Sequence, residues 1–395
     1  MMTSTTPQHR ANMRTDALEY QLPVSSIATQ PMQPRDAARL LVVYRDQDSQ
    51  PDASNPGRIE HHHVRDLPAF LPAVNSVLVF NRTAVRPARI EGVRDPTGGL
   101  VSGLVVDEWL DEDDGALMWL LMLRSSNRLK PGTRVRLVEP DGRLSAVTFE
   151  LLERVDAMFI AAVEWNVESL GPGDILERYG LTPLPPYILR ARSSESKILD
   201  REDREWYQTV YADSSMRHSV AAPTAGLHFT EQLLKQLNDA GVQSRELFLH
   251  VGMGTFKPIE ADSLDAHIMH KEVFAVATDV LHDLVQCRAT GAKVIAVGTT
   301  TVRCLESIDA TKLPPRGKML EDETELMITP GFAFQWVDGL LTNFHLPRST
   351  LLALVGAMVG LPRLLAIYQE ATRLGYRFYS YGDAMLILPE EGARK

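Results

Sequence analysis

"VIAVGTTTVRCLES", Val294 to Ser307, carries a β-branched apolar run into a glycine, three threonines and the start of a helical pattern. A strand that turns at a glycine into a helix is the repeating joint of α/β proteins, so this stretch decides the fold class. The same joint recurs on either side of it. Upstream, Thr230 can cap a helix whose Leu233, Leu234 and Leu237 recur at helical spacing before Gly241 ends it. Strands are predicted at about Glu246 to His250 and in "KEVFAVA", "AKVIAVG" and "WVDGLLT". A helix is predicted at Val280 to Thr290 with Gly291 as its stop, and another at Thr350 to Val359 with Ser349 as its cap. In such proteins the loops leaving the carboxyl ends of strands converge on one face, where ligands bind.

Further toward the amino end the texture changes. "GLVSGLVVDEWL", "GALMWLLMLR", "TRVRLVE", "LSAVTFELLE" and "AMFIAAVE" are short apolar or alternating runs split by Gly, Pro and Asp turns. This β-rich part has borders near Arg89 and Leu181, the latter just before "TPLPPYILRA", whose prolines argue for an extended connector. An insertion fits better than two domains in series: a main α/β domain from residues 16–88 and 181–395, and an all-β domain from 89–180. Residues 1–15 read as a disordered lead-in and 47–57 as a flexible surface loop.

Composition sets the outer limits. The chain has 395 residues, 44% hydrophobic and 23% charged, enough to bury two ordinary cores. No apolar run reaches the roughly 18 residues of a membrane span, so no membrane partner is expected. Cys287 and Cys304 are the only cysteines, which suits a reducing compartment and predicts a cytoplasmic protein. A formal charge of -10 excludes general electrostatic capture of nucleic acid and leaves room only for a local basic face. A monomer is expected.

Several loops carry chemistry. The helix start after Gly298 offers amide N–H groups and the hydroxyls of Thr299 and Thr300 to an anion or a sugar, although an ordinary capped helix reads the same; Arg303 follows in its first turns. "LTNFHLPRSTLL" gathers Asn343, His345 and Arg348 on one short loop, with Asp338 just upstream. "AAPTAGLHFT", Ala221 to Thr230, fixes a sharp turn with Pro223 and Gly226, keeps it narrow with Thr224, and delivers His228; a packing turn around a satisfied histidine is the competing reading. "HVGMGTFKPI" opens with His250 and holds Gly252, Gly254, Thr255 and Lys257, but Lys257 stands where a dinucleotide fingerprint needs its third glycine. His267, His270 and Glu272 in "HIMHKE" lack the further ligands that a zinc site requires, so no metal is expected. "YSYGDAMLIL" is a last core strand entered through a turn bearing Tyr379, Tyr381 and Asp383.

Together with "DREDREWYQTVYA", these stretches stand in an order and spacing that resemble the S-adenosylmethionine:tRNA ribosyltransferase-isomerase family of queuosine biosynthesis, from about Tyr20 to Leu388. The resemblance implies a barrel-like α/β main domain with a mixed sheet and an inserted β-barrel. It implies transfer and isomerisation of the ribosyl part of S-adenosylmethionine onto 7-aminomethyl-7-deazaguanine in the wobble position of tRNA, giving epoxyqueuosine, adenine and methionine. S-adenosylmethionine serves as co-substrate, and no other cofactor is implied. That chemistry needs a base, an acid and groups that stabilise transient charge, which His228, His250, His345, Asp338 and Asp383 can supply. Asp383, Tyr379 and Tyr381 can face the sulfonium and amine, while Lys257, Arg303 and Arg348 can hold a carboxylate or a phosphate.

One departure stands out. Family members carry Asn-Asp-Thr-Arg-Val-x-Pro-Ala-Arg where this chain reads "NRTAVRPAR", Asn81 to Arg89, with Arg82 for the acid and Ala84 for the arginine. A lost contact, a replacement ion pair or a different acceptor would each follow from it. The alternatives to the leading function are therefore a diverged relative with another acceptor, and a non-catalytic RNA-binding protein on the same scaffold.

Overall fold

The computed structural model describes residues 13–45, 55–71, 75–167, 169–192, 198–216, 219–252 and 259–389. Its strands are β1 (Arg39–Arg45), β2 (Ile59–His63), β3 (Ser76–Asn81), β4 (Arg89–Asp95), β5 (Leu100–Leu110), β6 (Leu117–Ser125), β7 (Arg134–Val138) and β8 (Leu144–Val155). They continue with β9 (Met158–Trp165), β10 (Gln243–Leu249), β11 (Glu272–Ala277), β12 (Lys293–Val297), β13 (Met319–Thr324), β14 (Gly339–Asn343) and β15 (Ala384–Pro389). Nine of them make one mixed sheet in the order β13-β11-β10-β3-β12-β14-β15-β1-β2, and the other six close a barrel in the order β4-β5-β6-β9-β8-β7. The mixed sheet ends at β13 and β2 and is therefore open, without the hydrogen-bonded closure of a barrel.

The central strands β3, β12, β14 and β15 are mainly apolar on both faces, with polar residues mostly at their ends, because both faces of the sheet are covered. Val77, Val79, Val294, Ala296, Leu340, Met385 and Ile387 join one buried cluster, together with residues of the helices Thr278–Ala289, Thr299–Glu306, Thr350–Val359 and Leu361–Arg373. Their neighbours in the period of two, Leu78, Phe80, Ile295, Val297, Leu341 and Leu386, join a second cluster with Phe229 and with Leu233 and Leu237 of the helix Glu231–Asp239. Thr230 and Ser349 cap their helices as the sequence predicts, each accepting an N–H three residues on, from Leu233 at 3.1 Å and from Leu352 at 3.2 Å.

Strand direction positions the site. β3, β10, β12 and β14 run parallel, while β15 runs antiparallel to β14 and parallel to β1. One edge of the sheet therefore collects the carboxyl ends at Asn81, Leu249, Val297 and Asn343, and the amino ends at Ala384 and Arg39.

The barrel leaves this sheet after β3 and has its own core, with Val105, Trp119, Leu121, Phe149 and Leu151 buried inside it and Ile175, Leu176 and Tyr179 of a following helix packed against them. Chain going out and chain coming back are paired by two backbone hydrogen bonds between Arg89 and Leu181, of 3.0 and 2.7 Å. Gly180 beside that bridge has no room for a side chain, since a Cβ would sit 1.8 Å from the Pro87 carbonyl oxygen. "TPLPPYILRA" differs from its expected extended form: Pro186–Ala191 is a helix. Pro186 occupies its first position, where the missing N–H would have no partner in any case.

Candidate active site

A cleft enclosing about 620 Å³ of space open to solvent lies over the convergent edge of the sheet. Its wall is drawn from turns remote in sequence: Ala222 to Ala225, Gly298 to Thr300, residues between Thr342 and Leu351 and the Tyr379–Ser380 turn, together with Val251 and Tyr187. Of the residues singled out above, Pro223, Thr224, Thr299, Thr300, Asn343, His345 and Tyr379 line it.

Each is held there by a local cause. Gly298, at φ 91°, lets the chain turn from β12 straight into the helix Thr299–Glu306, so Thr299 and Thr300 present the first turn of that helix to the cleft. Asn343 ends β14 and is 2% exposed. Its Nδ2 donates to the Tyr379 carbonyl at 3.0 Å and to His228 Nε2 at 3.1 Å. Tyr379 itself has φ 71°, a left-handed conformation that a tyrosine adopts only when its surroundings impose it. Here they do: its N–H is held by the Phe344 carbonyl, its carbonyl by Gly382, and its ring lies 4.5 Å from that of Tyr187.

His228 and His345 are both buried and both neutral at physiological pH. Burial pulls His228 down to about 4, against the opposing pull of the Asp383 carboxylate. Burial alone takes His345 to about 3. His345 Nε2 pairs with Thr342 Oγ1 at 2.8 Å, and its backbone N–H donates to the Tyr368 hydroxyl at 3.0 Å. His345 lines the cleft, whereas His228 stands behind Asn343.

Other expected members go elsewhere. Asp338 precedes β14 at the far edge of the sheet, roughly 16 Å along the strand from Asn343, where it accepts the Val294 N–H at 2.9 Å. Asp383 is 2% exposed and clamped by the Arg39 N–H at 3.0 Å, Arg39 Nε at 3.1 Å and the Arg377 N–H at 2.8 Å, so it shapes the Tyr379–Asp383 turn and does not line the cleft. Arg303 turns inward to a buried ion pair with Glu272 and donates from Nε to the Leu326 carbonyl at 3.0 Å. Tyr381 packs with Tyr207 and Ile188 in a separate apolar cluster. Gly226 admits the Tyr211 hydroxyl, which a Cβ would meet at 2.0 Å, and so serves packing in place of ligand approach.

His250 and Gly252 follow β10 and flank Val251, which lines the cleft, but neither lines it itself; His250 Nδ1 is 3.3 Å from Thr83 Oγ1, and the Gly252 N–H is 3.3 Å from Glu272 Oε1. Arg348 is half-exposed with its guanidinium 4.0 Å from Glu19. Gly254, Thr255 and Lys257 lie outside the described residues. Among the described residues, no group of three or more His, Cys, Asp or Glu could hold a metal ion, and no single helix is long and apolar enough to cross a membrane.

Sequence reasoning missed Tyr187, Thr342, Ser349 as a wall residue, and Ser380. Tyr187 had a signal, an aromatic just inside a proline-led helix, but its partner Tyr379 lies too far along the chain for any local pattern to pair them. The Arg82 departure also resolves locally. Its guanidinium meets Glu246 at 2.6 Å and the Tyr211 carbonyl at 3.0 Å, with Asp213 at 4.0 Å, so the reversed charge is neutralised beside the sheet.

The family model described as "Queuosine biosynthesis protein" matches residues 15–387. An S-adenosylmethionine:tRNA ribosyltransferase-isomerase of Thermus thermophilus is 45% identical over 377 residues, 94% of this chain and 99% of that one. The protein of the same name from Desulfitobacterium hafniense is 40% identical over 376 residues, 95% of this chain and 100% of that one. A solved structure of an S-adenosylmethionine tRNA ribosyltransferase from Thermotoga maritima is 32% identical, covering 94% of this chain and 100% of that one at a TM-score of 0.49. With a family model matched over nearly its whole length and relatives of this identity end to end, the chain belongs to the queuosine biosynthesis protein family.

Proposed function

We propose that the chain transfers and isomerises the ribosyl moiety of S-adenosylmethionine onto 7-aminomethyl-7-deazaguanine in the tRNA wobble position, giving epoxyqueuosine-tRNA, adenine and methionine. The observation that carries this reading is the meeting of four distant turns in one cleft, in a chain of this family.

The electrostatics of the wall suit a cationic ligand. A sulfonium would be repelled by imidazolium, and burial keeps His228 and His345 neutral down to about 4 and about 3. The paired rings of Tyr187 and Tyr379 offer aromatic faces to the sulfonium. The first turn at Thr299 and Thr300 offers amide N–H groups and hydroxyls to the methionine carboxylate or the ribose. His345, whose imidazole lines the wall, is our choice for the group that moves a proton during transfer. Arg348, half-exposed on the same loop, is our choice for a tRNA phosphate contact, a local cationic contact on an acidic protein. Residues 89–180 are taken as an inserted domain that leaves the sheet edge at Arg89 and returns at Leu181.

The test is incubation of the purified chain with S-adenosylmethionine and tRNA bearing the aminomethyl deazaguanine. Free adenine and a heavier wobble nucleoside by mass spectrometry are expected together. Folded protein that yields neither would overturn the reading, and adenine released only with another acceptor would replace it with the diverged relative.

A further inference from the structure

The Asn343 side chain is almost fully buried, lines the cleft, and uses only half of its amide. Nδ2 spends its two hydrogens on the Tyr379 carbonyl and His228 Nε2, with the Ser380 carbonyl 3.5 Å away, whereas Oδ1 is enclosed and has no hydrogen-bond partner among the described residues. Turning the amide over would not cure this. It would set Oδ1 against two backbone carbonyl oxygens, which can only accept, so the backbone of the Tyr379–Ser380 turn fixes which corner is oxygen. His228 completes the arrangement: a ring nitrogen that accepts from Nδ2 must be unprotonated, and the burial of the ring secures that state. An enclosed acceptor without a donor is destabilising, and such atoms in native proteins call for an explanation.

We propose that Asn343 is the residue by which the cleft recognises a hydrogen-bond donor of the adenosyl group, its Oδ1 accepting that N–H or O–H. In the same proposal His228 is a positioning residue that holds the amide with Oδ1 as the free acceptor. The inference rests on the reading that S-adenosylmethionine occupies the cleft and adds to it the atom that selects the ligand. It also moves His228 from proton carrier to amide holder. The donor comes either from the exocyclic amine of adenine or from a ribose hydroxyl, which share this chemistry.

The experiment is calorimetric titration of S-adenosylmethionine, and of analogues lacking the exocyclic amine, the 2′-hydroxyl or the 3′-hydroxyl, into the wild-type chain and into N343A, N343S, H228A and H228Q. Circular dichroism and melting select the variants that fold. On the wild type, one analogue is expected to bind about tenfold more weakly than S-adenosylmethionine, because it leaves Oδ1 unpaired. Which analogue does so identifies the donor. N343A, or N343S if alanine prevents folding, is expected to bind that analogue and S-adenosylmethionine alike. H228A is expected to lose the discrimination and H228Q, whose amide oxygen can accept from Nδ2, to keep it; a merely structural histidine would not be rescued in this way.

If the wild type binds S-adenosylmethionine but ranks every analogue equally, or if the Asn343 variant ranks them as the wild type does, the recognition role is wrong. H228Q behaving like H228A would remove the positioning role. Wild-type protein that does not bind S-adenosylmethionine at all would instead bring down the underlying reading, and the proposal with it.

Discussion

The barrel and the convergent edge of the mixed sheet bury different things. Between Arg89 and Trp165 the one buried polar residue is Ser145, with the Trp119 indole N–H and the Arg94 Nε as further buried polar groups, and the barrel's other charged groups form ion pairs at the surface, such as Arg134 with Glu150 and Glu164. At the sheet edge Thr299, Thr300, Asn343, His345, Ser349 and Asp383 are all buried, with His228 directly behind them. Burying a polar group is unfavourable unless it is fully paired, so a fold that needed only stability would arrange both regions like the barrel. The difference supports our reading of the sheet edge as the site of chemistry and of the barrel as a region built for stability.

Substitutions can break that comparison. The largest effect is expected from His345→Ala: adenine release should fall by about a hundredfold or more, the scale of a lost proton-transfer group, while the melting temperature moves far less. An unchanged rate would remove His345 from the site. In the barrel, Trp119→Ala empties a fully buried position and should destabilise by about 3–5 kcal/mol, with affinity for S-adenosylmethionine unchanged in protein that remains folded. Weakened binding in that folded protein would mean that the two regions are coupled and the division of labour is wrong.

Acid sharpens the contrast further. His228 and His345 are held below the ordinary histidine range, so the unfolded chain binds more protons than the folded one as pH falls from 6.5 toward about 4 and about 3. Their contribution is complete above 6.5 and is lost across that window, at up to about 1.4 kcal/mol per pH unit for each ring. Chemical denaturation between pH 7 and pH 5 should therefore show a shallower slope for His228→Gln and His345→Gln than for the wild type. Equal slopes would show that these rings do not titrate differently on folding. The smallest effect is expected at Arg82, where the ion pairs are half-exposed: Arg82→Ala should change stability by about 1 kcal/mol or less and leave adenine release unaltered. A lost or redirected activity there would revive the idea of a different acceptor.

The α/β class, the helix caps at Thr230 and Ser349, and the strands β10, β11, β12, β14 and β15 were legible because each rests on spacing within about ten residues, whereas the edge strand β13 was hidden by its acidic residues. Depth was not legible. His228 and His345 look alike in sequence, yet His345 lines the cleft and His228 does not, hydrogen-bonding instead to the side chain of Asn343. Asp338 and Asp383 read as available acids because their captors, the Val294 N–H and the Arg39 and Arg377 groups, come from other strands and turns. Gly226 read as a turn former at a ligand site, and what its missing side chain admits is the Tyr211 hydroxyl. Proline at Pro186 read as a helix breaker where it is a helix starter. In each case the residue type was informative and its partner, remote in the chain, decided the role.

The central claim is that the cleft at the carboxyl edge of the sheet receives S-adenosylmethionine. Crystallographic location of that ligand on the purified chain tests it most directly. The adenosyl sulfonium is expected between the Thr299–Thr300 helix start and the Tyr379–Ser380 turn, in reach of Asn343. Ligand found on the barrel, or on another face of the main domain with this cleft unfilled, would contradict it.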